Sequence, residues 1–259
     1  MQSSTIDAFP EWTLVQSAIE SPAFTLFCFP YAGAGAATFH GWRAELPASV
    51  EICAIRLPGR EGRLREPPYT DMNALVPTLL DVLGPRLGGP YGFFGHSLGA
   101  RIAFELTRAV LTAGLRPPAQ LFLSGSRAPH LPRRPPVHEL PDHELVAELR
   151  RVHELPDEIF ADDELRALFL PILRADFALH DSHVVRDAPP LPLPVPMSVY
   201  GGTGDPIVPI ADLEAWSVHT SEVFRARTFP GRHLFLRTAR RALLESLSQD
   251  LAPWLTPST

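Results

Sequence analysis

The fold of this chain is decided by the stretch Tyr91-Gly92-Phe93-Phe94-Gly95-His96-Ser97-Leu98-Gly99-Ala100. An apolar run rich in aromatic residues ends at Gly95, and a helical pattern of apolar residues begins just after Ser97. Between them the sequence reads Gly-x-Ser-x-Gly, and the two glycines allow neighbouring backbones to pass close to the serine. A serine at such a turn faces solvent at the positive end of a helix, which favours developing negative charge. The stretch therefore predicts that Ser97 is a nucleophile; an ordinary glycine- and serine-containing turn is the alternative interpretation.

Strand and helix patterns alternate along most of the chain. The runs that predict strands lie at 24–29, 51–55, 91–95, 120–125, 195–202 and 221–229, with helical patterns between them. Residues 1–22 are mixed, with Trp12 and Val15 expected to pack on the edge of the sheet. This alternation predicts an α/β fold, in which a mainly parallel central sheet carries helices on both faces.

The alternation stops between residues 127 and 190. Helical patterns at about 141–152 and 162–180 replace the single crossover helix that the fold would require. Because this segment exceeds an ordinary crossover, we expect 127–190 to form a helical lid inserted into a single domain of residues 1–259. Ordinary connecting helices are the alternative. Pro171 lies inside the longer pattern and is expected to break or kink that helix.

Length and charge exclude several classes of protein. A chain of 259 residues is long enough for one large core. A formal net charge of −6 at pH 7 offers no broad basic surface, so we expect no nucleic-acid partner. No apolar run approaches the roughly 20 residues of a membrane span, and the first ten residues do not resemble a signal peptide. We therefore expect a cytoplasmic protein without a membrane partner.

The two cysteines, Cys28 and Cys53, lie in apolar runs that are typical of strands. We expect both to be reduced and buried, as in cytoplasmic proteins. Neither has a companion ligand at a useful spacing, so we predict no metal site.

A serine nucleophile needs a base that accepts its proton and an acid that holds the base in one tautomer. In α/β-hydrolases the acid and then the histidine follow the nucleophile, on loops after late strands. Asp205 comes directly after a predicted strand, and His233 lies between the last strand and the terminal helix. We therefore predict a catalytic triad of Ser97, Asp205 and His233. A turn aspartate before a proline and a surface histidine are the alternative interpretations.

The negative oxygen of a tetrahedral intermediate also needs hydrogen-bond donors. One is expected to be the backbone N–H of Leu98, the residue after the nucleophile, and the second to lie in the loop after the first core strand. That loop contains Pro30-Tyr31-Ala32-Gly33, where Ala32 is the best candidate. We thus predict an oxyanion hole formed by Ala32 and Leu98.

Weaker expectations concern other polar and aromatic residues. Those expected to border the substrate are Tyr31, His96 and Phe235. The histidines expected to be solvated are His130, His138, His143, His153 and His219. The carboxylates expected to be helix-surface residues or lid contacts, rather than the triad acid, are Asp176, Asp181 and Asp187.

Six motifs spread over nearly the whole chain occur together. They are Phe29-Pro30-Tyr31-Ala32-Gly33, Leu57-Pro58-Gly59-Arg60-Glu61 with Arg63, Gly95-His96-Ser97-Leu98-Gly99-Ala100, Leu173-Arg174-Ala175-Asp176, Tyr200-Gly201-Gly202 with Asp205, and Gly231-x-His233 with Phe235. With these motifs the chain resembles the type II thioesterases, the free-standing editing enzymes of polyketide and nonribosomal peptide synthesis.

The resemblance implies an α/β-hydrolase fold with a helical lid. It implies hydrolysis of stalled or misprimed acyl groups from the phosphopantetheine arm of acyl or peptidyl carrier proteins, without a cofactor of the enzyme's own. The roles it implies are Ser97 as nucleophile, His233 as base, Asp205 as acid, and Ala32 and Leu98 as oxyanion donors. We also expect a monomer.

The position of the acid refines this resemblance. Thioesterase domains that end synthase megaenzymes usually carry it after the strand next to the nucleophile's strand. Here that place reads Ser124-Gly125-Ser126-Arg127, without a carboxylate, which favours the free-standing type. The alternatives are a general carboxylesterase or lipase, an acyl-transferring hydrolase, and a non-catalytic protein that binds acyl carriers.

Overall fold

A seven-stranded sheet forms the centre of the computed structural model, which describes residues 10–16, 18–132, 135–152, 161–182 and 191–255. The strands are β1 (Thr13–Gln16), β2 (Phe24–Phe29), β3 (Val50–Ile55), β4 (Tyr91–His96), β5 (Gln120–Ser124), β6 (Met197–Gly202) and β7 (Phe224–Phe229). Their order across the sheet is β1-β3-β2-β4-β5-β6-β7. All neighbours are parallel except β1 and β3, so the predicted mainly parallel sheet is confirmed.

Strand β1 was not predicted. It pairs with β3 as the antiparallel edge of the sheet, in the register Leu14↔Ala54. Four residues on a half-exposed edge provide too short an alternation to be distinguished from a loop. The expected packing of Trp12 and Val15 on this edge is confirmed, since both contact the main core.

Helices cover both faces of the sheet, as predicted. In chain order the described helices are α1 (Trp42–Glu45), α2 (Met72–Leu83), α3 (Leu98–Thr112), α4 (Asp142–Val152), α5 (Asp163–Ser182), α6 (Ile210–Glu214), α7 (Phe235–Thr238) and α8 (Arg240–Leu255). Helices α2 and α3 pack on one face of the sheet, whereas α1 and α8 pack on the other. None of these helices combines the length and apolar content that crossing a bilayer requires.

Two of these helices, α4 and α5, lie between β5 and β6 and are called here the insertion helices. They share a separate small core that includes Leu145, Leu149, Leu170, Leu173 and Phe177. Both helical patterns predicted in this segment are therefore confirmed. Residues 133–134, 153–160 and 183–190 of the segment lie outside the described residues.

The expected break at Pro171 is absent, because α5 continues through this residue. A proline removes one backbone hydrogen bond from the helix interior. Its neighbours Leu170, Ile172 and Leu173 are buried, and this packing holds the helix together on both sides of the proline.

The expectation that His219 is solvated is wrong. Its side chain is 1% exposed, and its ring lies 5.3 Å from that of Phe104 and 5.4 Å from that of Trp216. Trp216 and His219 are three residues apart in a 3₁₀ turn and so share one face. His219 Nε2 lies 2.8 Å from Nδ1 of exposed His130. Burial lowers the pKa of His219 to about 4, and the positive charges of nearby side chains act in the same direction.

The other four histidines of that group differ from one another. His130 and His143 are exposed, which confirms the expectation for both. His138 is half-buried, and its Nδ1 lies 2.9 Å from Asp181 Oδ2 of α5, so the expectation that it is solvated is wrong. His153 lies outside the described residues.

Acid is expected to destabilise the fold partly through His219. Because its pKa is lower in the folded state than in the unfolded chain, the unfolded state binds more protons between about pH 4 and pH 6.5. Stability therefore falls as the pH falls through this window, by up to about 1.4 kcal/mol per pH unit for this one group. Urea unfolding of His219→Gln across the window should give a shallower pH dependence than the wild type, although the variant is less stable at pH 7. The exposed His143→Gln serves as control and should follow the wild type; parallel curves for His219→Gln would contradict the assignment.

Candidate active site

Ser97 occupies the sharp turn between β4 and α3. Its φ of 55° and ψ of −112° lie in a region that residues with a side chain rarely adopt. A Cβ on Gly95 would lie 2.0 Å from the carbonyl oxygen of Gly99, and one on Gly99 would lie 2.1 Å from that of Phe29. Only glycine fits at either position. This close approach of backbones explains the Gly-x-Ser-x-Gly pattern and presents the serine at the carboxyl edge of the sheet.

His233 bridges Ser97 and Asp205. Its Nε2 lies 3.1 Å from Ser97 Oγ, and its Nδ1 lies 2.8 Å from Asp205 Oδ2. The imidazole and the carboxylate are both shielded from solvent. With Nδ1–H donated to the carboxylate, Nε2 carries the lone pair that can accept the proton of the hydroxyl. The structure thus brings the three residues of the predicted triad into one hydrogen-bonded line.

The carboxylate of Asp205 forms hydrogen bonds both within its own turn and with His233. Its Oδ1 accepts hydrogen bonds from the backbone N–H groups of Ile207, at 2.7 Å, and Val208, at 3.2 Å, while Oδ2 faces the histidine. Burial raises the pKa of Asp205, but the hydrogen bonds from His233 and from the two N–H groups outweigh burial and lower it below its usual value. The carboxylate is therefore ionised at neutral pH.

Both predicted oxyanion donors lie next to Ser97. Leu98 begins α3, and N–H groups in the first turn of a helix have no partner within that helix. Ala32 follows β2, the strand beside β4, and it borders a small cavity together with Ser97 and His233. Both residues are therefore neighbours of the serine, Leu98 along the chain and Ala32 around the small cavity.

A larger cavity of about 790 Å³ opens beside Ser97 and His233. Its walls come from α3, from the loop after β5 and from the carboxyl end of α5. Polar side chains on these walls include Arg101, His138, His180 and Asp181. Burial lowers the pKa of His180, which keeps its ring neutral at pH 7. A cavity of this size is sufficient for a small-molecule substrate to reach the serine.

Of the three residues expected to border the substrate, only Tyr31 lines a cavity at the site. Tyr31 is half-buried and lines the small cavity beside Ser97. The expectation for His96 and Phe235 is corrected, because both are fully buried and form part of neither cavity. The ring of His96 lies 5.2 Å from that of His233 and 5.5 Å from that of Phe235. His96 therefore packs against the triad histidine, and Phe235 packs against His96.

His96 is neutral in this setting. Its Nδ1 lies 2.9 Å from Ser124 Oγ at the end of β5, and burial lowers the pKa of the ring well below its ordinary value. A charged imidazole next to His233 would oppose the protonation of His233 during catalysis. A neutral neighbour avoids this repulsion.

Arg60 and Asp176 form a buried ion pair that the sequence did not predict. Arg60 Nη2 lies 2.7 Å from Asp176 Oδ1, and both side chains are buried. Asp176 is thus a buried residue of α5 and not a helix-surface residue. Two features of the sequence could have indicated this pair. Asp176 stands among apolar residues of α5, and both Asp176 and Arg60 belong to motifs that carry the family resemblance.

In the described part of the chain, no three His, Cys, Asp or Glu side chains are grouped to hold a metal ion.

Comparison with known sequences finds related proteins over nearly the whole chain. Residues 24–251 match the model of the thioesterase domain family. The chain is 35% identical over 248 residues to the gramicidin S biosynthesis protein GrsT of Aneurinibacillus migulanus, covering 95% of this chain and 96% of that protein. It is 35% identical over 231 residues to thioesterase PikA5 of Streptomyces venezuelae, covering 88% of this chain and 81% of that protein.

Solved structures of thioesterases share the fold of this chain. The RedJ thioesterase from the prodiginine biosynthetic pathway of Streptomyces coelicolor superimposes with a TM-score of 0.83 at 36% identity, over 89% of this chain and 87% of that chain. YbtT, a type II thioesterase from the yersiniabactin NRPS/PKS biosynthetic pathway, gives a TM-score of 0.85 at 27% identity, over 95% of this chain and 100% of that chain. The predicted α/β-hydrolase fold, with its mostly parallel sheet and flanking helices, is confirmed.

Proposed function

This chain belongs to the thioesterase family, and we propose that its substrate is an acyl group held as a thioester on the phosphopantetheine arm of an acyl or peptidyl carrier protein. The chain is a hydrolase that acts on thioesters, of the type II kind found in polyketide and nonribosomal peptide pathways. Its role is to clear aberrant or stalled acyl groups. We expect it to act as a cytoplasmic monomer.

The observation that carries this proposal is the line from Ser97 through His233 to Asp205, open to a cavity of about 790 Å³. In the first half-reaction Ser97 Oγ forms a bond to the thioester carbon, and its proton passes to His233 Nε2. The negative oxygen that results accepts hydrogen bonds from the N–H groups of Leu98 and Ala32. The carbon–sulfur bond then breaks, and the thiol leaves with the proton from His233.

The second half-reaction releases the acid. Water loses a proton to His233 and attacks the acyl-serine carbon, which again places negative charge on the carbonyl oxygen. Collapse of this intermediate breaks the bond to Ser97 Oγ, and the protonated histidine returns the proton to the serine. Asp205 stabilises the positive charge on the imidazole in both halves.

The insertion helices serve as a lid in this proposal. Leu149 from α4, together with Leu173 and Phe177 from α5, borders the same small cavity as Ser97. These side chains therefore cover the small cavity at Ser97, while the larger cavity beside Ser97 remains open. On this basis we assign residues 127–190 as a lid within a single domain of residues 1–259.

A panel of acylated carrier proteins tests the proposed function. The protein is incubated with carriers that bear different acyl groups, and deacylation is followed by the intact mass of each carrier. We expect several carriers to lose their acyl group and the free acid to appear in equal amount. Clearance of a single carrier would mean dedicated chain release, and loss of acyl groups without free acid would mean acyl transfer. Faster hydrolysis of simple oxygen esters than of the matching pantetheine thioesters would mean a general esterase.

A further inference from the structure

We propose that the buried ion pair between Arg60 and Asp176 positions the loop that carries the oxyanion donor Ala32, so that this donor is correctly aimed only when α5 is docked. The loop comprises residues 31–37 and is called here the oxyanion loop. The inference rests on the proposed function, because it concerns hydrolysis at Ser97. It makes Arg60 and Asp176 positioning residues for that reaction.

The ion pair is bidentate and closed to solvent. Arg60 Nη1 donates to Asp176 Oδ2 at 2.8 Å, and Nη2 donates to Oδ1 at 2.7 Å. The exposed fractions of the two side chains are only 6% and 1%. Burial of two charges carries a large desolvation cost, which the pair offsets only with good geometry and further hydrogen bonds. Those further bonds show what the pair does.

Both partners bind the backbone of the oxyanion loop directly after Ala32. Asp176 Oδ2 accepts the N–H of Gly33 at 2.7 Å, and Arg60 Nη1 donates to the carbonyl oxygen of Ala34 at 3.0 Å. The first bond fixes the peptide plane that joins Ala32 to Gly33. The orientation of that plane restricts the neighbouring peptide, whose N–H belongs to Ala32.

The loop also lies directly against α5. Gly33 has a φ of +77°, and a Cβ at this position would lie 2.5 Å from Leu173 Cδ2 of α5. A side chain on Gly33 would collide with Leu173 and would have to adopt a left-handed conformation that glycine favours. Glycine therefore permits the contact through which Asp176 reaches the backbone.

Glu61 holds the other end of the oxyanion loop. Its Oε1 accepts the N–H of Ala37 at 3.0 Å, and a Cβ on Gly35 would lie 2.3 Å from the same oxygen. Glu61 itself has a φ of 50°, a strained value for a residue with a side chain. The neighbours Arg60 and Glu61 thus bind the loop at two points, and Arg60 also binds Asp176 of α5.

A displaced oxyanion loop should slow the chemical step of hydrolysis. An oxyanion donor must lie about 3 Å from the developing negative oxygen, and loss of one such donor typically reduces kcat by about 10²–10³-fold. Displacement of α5 would remove the acceptor of the Gly33 N–H and release the peptide next to Ala32. The lid then controls the completeness of the oxyanion hole in addition to access.

The variant Asp176→Asn tests this inference, because it retains the shape of the side chain and removes the charge. Its kcat for an acyl-pantetheine thioester, normalised to titrated active sites, is expected to fall at least about tenfold with KM changed less than about threefold. Affinity for an alkyl boronic acid should fall in parallel, since its adduct on Ser97 places an oxygen in the hole. The matched control is Asp142→Asn, which removes the ion pair between Asp142 of α4 and Arg174 of α5. This variant should change kcat and boronate affinity less than twofold.

Arg60→Lys keeps the inference testable if Asp176→Asn does not fold. Lysine retains the charge but not the bidentate geometry, so we expect a smaller loss of kcat per site in the same direction. Unchanged kcat per site and unchanged boronate affinity, with a loss only of titratable sites, would show a merely structural pair and overturn the inference. If Ser97→Ala retains wild-type hydrolysis, the proposed function itself fails, whereas an inactive Ser97→Ala beside a fully active Asp176→Asn refutes only the positioning role.

Discussion

Replacing Ser97 with alanine is expected to lower kcat for thioester hydrolysis by at least about 10⁴-fold. The change removes the Oγ that His233 Nε2 approaches to 3.1 Å, so no acyl-enzyme forms and only stabilisation by the oxyanion hole and binding remain. The kcat of the wild type and of the variant is measured from the hydrolysis of acyl-pantetheine thioesters. Intact mass spectrometry with a slowly deacylated substrate should show an acyl adduct on the wild type and none on the variant.

Ser126→Ala is the matched control for this loss. Ser126 is a buried serine, and it lines the same large cavity as Ser97. We expect its kcat to stay within about threefold of the wild type, because its hydroxyl takes no part in the proposed relay. Undiminished hydrolysis by Ser97→Ala would mean that another group is the nucleophile, and the interpretation as a serine hydrolase would be wrong.

Replacing Asp205 with asparagine is expected to lower kcat by about 10⁴-fold while the loop after β6 keeps its conformation. The amide oxygen can still accept the N–H groups of Ile207 and Val208, which now bind Oδ1. The amide nitrogen then faces His233 Nδ1 as a donor. That arrangement forces the ring proton onto Nε2, where it prevents acceptance of the serine proton.

Asp212→Asn provides the comparison for this variant. Asp212 lies in the next helix, α6, and forms an ion pair of 2.5 Å with Arg127. Its kcat should stay within about threefold of the wild type, and thermal unfolding of both variants shows whether either change alters the fold. A near-normal kcat for Asp205→Asn would exclude Asp205 as the acid.

The aromatic and histidine neighbours of the triad show where sequence patterns lose predictive power. His96 and Phe235 stand next to the nucleophile and the base in the sequence, which suggested contact with substrate. Their side chains instead point inward, because the end of β4 and the start of α7 pack against each other beneath His233. The burial of His219 has a similar cause, since it depends on Phe104 of α3, more than a hundred residues earlier in the chain.

The sequence by itself determined the features that are encoded locally: the alternation of strands and helices, the glycine-flanked turn at Ser97, and the positions of Asp205 and His233 after late strands. Apolar periodicity and glycine spacing express these features within a few residues. Only the tertiary structure decided which distant groups meet. The distances within the triad and the junction of Arg60 with Asp176, 116 residues apart, result from packing of the whole chain. Such contacts leave no periodic signal in the sequence, because each partner's environment is set by elements far from it along the chain.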